Sequence, residues 1–89
     1  MGKKNTVTKE QVDELIRSSK IEAITFFGKT TVTACQLPNG FVIVEASSCV
    51  DPANYDGELG LKICKERIEN RIWELEGYKL QASLHGEAE

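Results

Sequence analysis

"TTVTACQLPNGFVIVEASS", residues 30–48, constrains the fold of this chain more than any other stretch. Two runs rich in β-branched residues flank Pro38, Asn39 and Gly40. In that order, asparagine or glycine supplies the positive φ that a tight hairpin turn needs. The stretch therefore predicts a β-hairpin. Neither strand alternates cleanly between apolar and polar, because Phe41, Val42, Ile43 and Val44 put apolar groups on both faces. A sheet with two apolar faces needs two covers. One helical layer supplies the first. The second comes either from the chain's own other helix or from a partner subunit.

The flanking sequence supplies those helices. Thr8 followed three residues later by Gln11 matches a capping box. Val12, Leu15 and Ile16 share one face of the helix that it opens, about Lys9 to Ser19. "KIEAITFF" predicts a strand from Ile21 to Phe27, interrupted by Gly28 and Lys29. Asp51-Pro52 is a helix-start signal, a capping acid followed by proline, and "DPANYD" reads as one short turn. Asp56 caps the main helix, about Asp56 to Glu76, on which Leu59, Ile63, Ile68, Ile72 and Leu75 recur near the helical period with Cys64 beside them. Gly57 and Gly60 in its first turns cost roughly 1 kcal/mol each against alanine. Another backbone or a ligand coming close would explain them. Gly77 suits a helix stop, and "YKLQASL" after it reads as a last strand. The predicted fold is α+β: a short N-terminal helix, a three- to four-stranded antiparallel sheet with a central hairpin, and one long C-terminal helix packed on the sheet.

Eighty-nine residues make a single domain, 1–89, with residues 1–7 and 84–89 expected to be disordered. A chain this short buries only about 60–65% of its unfolded surface. Three cysteines, Cys35, Cys49 and Cys64, are an odd number, widely spaced, and point to a reducing cytosol rather than a disulfide framework. Self-association is the remaining common stabiliser. The first twenty residues are polar and charged, so no signal peptide is expected. The longest apolar run, Phe41 to Val44, is far too short to span a membrane. A net charge of −3 argues against general binding of DNA or RNA.

Catalytic chemistry is sparse. The single histidine, His85, stands in the polar C-terminal tail, away from any serine or cysteine of the folded body. Scattered cysteines without a histidine pair make a poor metal set, and Gly57 and Gly60 do not match a phosphate loop. No cofactor is expected. Cys49 reads as a small buried plug or as a thiol activated at a helix N-terminus. Arg67 and Arg71, four apart with Lys62 and Lys65 on a neighbouring strip, form either a fork for phosphate oxygens or, with Glu66, Glu69 and Glu74, a self-neutralising solvated face. Asn54 and Tyr55 supply an amide for a base edge and a ring for stacking, beside helix N-termini that favour anions. The alternative is that Asn54 and Asp56 only cap and Tyr55 is core. Phe26, Phe27 and Trp73 read as core or interface, with Phe27 beside Gly28 the best ring to stack a ligand.

Residues 30–80 resemble a family of small tailed-phage early proteins. The resemblance rests on a threonine-rich strand ending in Cys35, then Asn39-Gly40-Phe41, then "SSCVDPANYD", then "ELG", then a basic–acidic helix closing on "IWELEGY". The pattern is also similar to the first type of Thoeris anti-defence protein. Those phage proteins bind the cyclic ADP-ribose-type signal of a TIR-domain enzyme, and some bind cyclic dinucleotides, without cleaving them. The resemblance implies a homo-oligomer, dimer or hexamer, in the host cytoplasm, with ligand pockets between subunits. It implies Asn54 and Arg71 as ligand residues, Phe41 or Phe27 as the aromatic, and Arg17 as the upstream arginine. With Tyr55, Arg67 and Lys65 these make the expected binding set. The competing expectation is a small module that binds and inhibits a host protein through the two-faced hairpin. An enzyme is the weakest of the three.

Overall fold

A computed structural model describes residues 5–86. Its elements run α1 (Lys9–Arg17), β1 (Lys20–Phe26), β2 (Thr30–Gln36), β3 (Val42–Ser48), a 3-10 turn (Pro52–Asn54) and α2 (Gly57–His85). Thr8 and Gln11 cap α1 reciprocally, as the sequence predicts. The three strands form one antiparallel sheet in the order β1-β2-β3. Across it, Ile24 pairs with Val32 and Val32 with Ala46, while Ile21 pairs with Cys35 and Cys35 with Ile43. These two rows lie on opposite faces.

Both helices lie on the face that carries Cys35 and Ile43. Val12 from α1, Cys35, Leu37 and Ile43 from the hairpin, and Ile68 and Ile72 from α2 form one buried cluster, with Trp73 and Leu75 packed against it. Each fully buried isoleucine contributes about 1.5–3 kcal/mol. The choice left open by the sequence is thereby resolved against self-coverage: no helix among the described residues covers the other face.

Three expectations need correction. The stretch 78–84 is not a strand; it continues α2, which ends at His85 with Gly86 in the left-handed conformation, φ 86°. Lys79, Leu80, Gln81 and Ala82 are good helix formers. Leu80 and Ser83 also line a groove with Val7 and Gln11 at the start of α1, giving the extra turns something to pack on. Leu84 and His85 are thus helical, as opposed to part of a disordered end; residues 1–4 and 87–89 lie outside the described residues. Gly60 meets the side chain of Thr31 on β2, where the sequence suggested a backbone or ligand: a Cβ there would lie 3.1 Å from Thr31 Cβ and nearer still to its hydroxyl.

Candidate functional site

The connection from Ser48 to Asp56 folds back over one end of the sheet. Three local signals hold it. Asp51 accepts from Ala53 N at 2.9 Å and closes the 3-10 turn. Asp56 accepts from the amides of Glu58 and Leu59, capping α2. Tyr55 turns inward, and its hydroxyl lies 2.6 Å from Thr31 Oγ1 and 2.9 Å from Thr25 Oγ1.

The β1–β2 turn meets this connection from below. Phe27 and Gly28 both have positive φ, 57° and 67°, and Lys29 N returns to Phe26 O at 3.1 Å. Cys49 N then donates to Lys29 O at 3.0 Å, and Thr30 Oγ1 lies 2.8 Å from Ser48 Oγ. The result is a cleft of about 190 Å³ whose walls include Lys29, Ser48, Cys49, Asn54 and Tyr55, with Leu59 and Ile63 of α2 as its apolar side. Lys29 brings one cation to this lining and Asp56, the α2 cap, one carboxylate; with the hydroxyls of Ser47 and Ser48 and the Asn54 amide beside an apolar wall, they suit a small polar ligand with a flat apolar part. The Cys49 thiol is half-buried, 3.3 Å from Asp51 O.

The expected binding residues do not all converge. Asn54 and Tyr55 line the cleft, and Phe27 stands two residues from its Lys29, with its ring exposed. Arg67 and Arg71 follow Ile63 by one and two helical turns, about 6 and 12 Å along the axis. Both reach β3: Arg67 donates to Ala46 O at 2.5 Å, and Arg71 pairs with Glu45 at 3.2 Å. They clamp the helix to the strand instead of presenting an open fork. Lys65 lies on a separate shallow groove with Glu58, Leu61 and Lys62. Phe41 precedes β3 at the far end of the sheet, about 20 Å from Ser48. Arg17 is on α1 and is paired with Glu14. That contact, then Ser18, holds the Glu14 carboxyl below its ordinary range, and Glu14 in turn raises Arg17.

Lys29 and Ser48 escaped the sequence reading. Gly28-Lys29 registered only as a strand interruption, yet a glycine followed by lysine in a hairpin turn is where a cation can be offered to a neighbouring loop. Among the described residues no cluster of His, Cys, Asp and Glu is placed to hold a metal ion, and no helix is long and apolar enough to cross a membrane.

No curated protein and no solved structure matches the chain. A family model does, over residues 7–84, from the residue before the α1 cap to the last turn of α2. The match takes in the cleft, the hairpin and both helices, and so extends the resemblance seen over residues 30–80. On that match the chain belongs to the Phage protein (N4 Gp49/phage Sf6 gene 66) family.

Proposed function

We propose that this phage protein binds a cyclic nucleotide immune signal, a cyclic ADP-ribose isomer or a cyclic dinucleotide, and withholds it without cleaving it in the host cytoplasm. One observation carries the reading: Lys29, Ser48 and Asn54 open on the same cleft beside an apolar helix wall. Cation, hydroxyl and amide match phosphate, ribose and base edge in turn. The cleft has no histidine with which to activate a nucleophile, which favours capture over turnover. At about 190 Å³ it is smaller than the roughly 300–1,000 Å³ that encloses a whole ligand of this class. A neighbouring subunit would complete it, and Arg71, Arg67 or Phe41 would reach the ligand from there. Charge-assisted contacts of about 1.5–3 kcal/mol each, with stacking, approach the roughly −12 kcal/mol of nanomolar binding.

Titration calorimetry of the purified chain against cyclic ADP-ribose isomers and cyclic dinucleotides tests this. One of them should bind and be recovered chemically unchanged after heat denaturation. Absence of heat with every one, at high protein concentration, sinks the reading; so does recovery of a cleaved product.

A second reading has its own support. The exposed sheet face, with Ile24, Phe26, Val42 and Val44, favours a module that docks on and inhibits a host protein. A single host protein captured stoichiometrically by wild type, and lost when Val44 becomes Glu, would favour it.

A further inference from the structure

In a cleft read as a phosphate site, Asp56 is out of place. It lines that cleft beside Asn54, and a carboxylate there repels phosphate. Capping does not require the charge. Only Oδ1 caps, accepting from Glu58 N at 3.0 Å and from Leu59 N at 3.2 Å. Asparagine or serine caps a helix as well as aspartate does. The carboxylate therefore calls for a ligand that presents hydrogen-bond donors to it.

The backbone sets what it can read. Tyr55 and Asp56 are both extended, with φ −68°, ψ 131° and φ −130°, ψ 106°. Residues two apart along an extended chain share a side. Asn54 and Asp56 thus project together, about 6–7 Å apart, while Tyr55 turns to Thr25 and Thr31. The two cap bonds hold the carboxylate in place. Its Oδ2 and the Asn54 side-chain amide have no hydrogen-bond partner among the described residues. Lys29 does not neutralise it: its Nζ donates to Val50 O at 3.3 Å, and no ion pair joins it to Asp56. Cation and carboxylate each keep a separate part of the ligand to meet.

An ionised carboxylate only accepts. Guanine alone among the standard bases puts two adjacent donors, N1–H and N2–H, on its Watson–Crick edge, with the O6 acceptor beside them. Asp56 accepts from both donors, and the Asn54 amide donates to O6. Adenine offers N6–H alone and turns its N1 lone pair toward the carboxylate. Cytosine does the same with N4–H and N3. We propose that Asp56, with Asn54, reads the base in this cleft and makes it prefer guanine, so that cyclic dinucleotides bearing guanine are held over those bearing only adenine. The inference rests on the nucleotide reading above and names the base within it; Lys29 meets the phosphate whichever base is bound.

Titration calorimetry of the full chain against cyclic di-GMP, cyclic di-IMP and cyclic di-AMP tests it. Hypoxanthine, the base of cyclic di-IMP, is guanine without its 2-amino group, and adenine loses N1–H as well. Wild type should bind cyclic di-GMP on the order of tenfold more tightly than cyclic di-IMP, and cyclic di-AMP more weakly again, as charge-assisted hydrogen bonds are lost in turn. Asp56→Asn keeps a capping side chain, with circular dichroism as the check on folding, and should bring the three affinities within about threefold of one another. Glu58→Gln removes the same charge two residues on, outside the cleft, and should keep the wild-type order. Equal wild-type affinity for the three, or an unchanged order in folded Asp56→Asn, overturns the inference and leaves the nucleotide reading standing. No heat with any of them, nor with cyclic ADP-ribose isomers, overturns both. Should Asp56→Asn fail to fold, the wild-type series decides: the stepwise order supports the inference, and its absence overturns it.

Discussion

Gly60 of α2 stands against Thr31 of β2 so closely that a methyl group at Gly60 would press on both Thr31 Cβ and its hydroxyl. That hydroxyl is the one Tyr55 holds at 2.6 Å. Helix, central strand and site loop therefore meet at one point. Gly60→Ala gains about 1 kcal/mol of helix propensity but forces overpacking that costs about 1–3 kcal/mol. A net loss of stability is expected in urea unfolding. In a Thr31→Ala background the same substitution should cost markedly less, because the crowded hydroxyl is gone.

Tyr55→Phe tests what the tyrosine does. Its hydroxyl engages two threonines, and Thr31 is buried. Removing it leaves a buried hydroxyl short of a partner, at about 1–3 kcal/mol. The ring remains, so ligand affinity should change little if Tyr55 acts through its face. A stability loss with unchanged affinity fits a pin; lost affinity at unchanged stability does not.

Phe27 holds φ 57° with its ring 86% exposed. An L-residue there stores roughly 1–2 kcal/mol, which asparagine largely avoids. Phe27→Asn should raise the melting temperature while lowering nucleotide affinity, since strained exposed aromatics belong to sites. A variant that loses stability contradicts the strain argument.

Arg71 separates clamp from ligand contact. Arg71→Ala breaks a partly exposed ion pair with Glu45, worth about 0–1 kcal/mol, so the fold should survive. Glu45→Gln breaks the same pair but leaves the guanidinium in place. Calorimetry should show weaker nucleotide binding for Arg71→Ala and near-normal binding for Glu45→Gln. Equal losses in both would assign Arg71 to positioning alone.

The order of elements was legible because its signals are local. Thr8 with Gln11, Pro38-Asn39-Gly40, and Asp56 each act within a few residues. The end of α2 was not, because Gly77 and Gly86 carry the same local signal and only packing against residues 6–11 decides between them. Site residues divide likewise. Asn54 and Tyr55 announced themselves beside capping acids. Lys29 reaches the cleft through the ladder bond from Cys49 and its own bond to Val50 O, contacts about twenty residues away in sequence that no local pattern encodes. The apolar doubling of Phe41 to Val44 was readable; which face stayed open required both helices to be placed.

The most direct measurement is native mass spectrometry of the full chain purified from cells that express a TIR-domain signal enzyme. It should release a small molecule with the mass of an intact cyclic nucleotide, held stoichiometrically by the protein. Protein that carries no such molecule from signal-producing cells, or that carries only its hydrolysed form, contradicts the account.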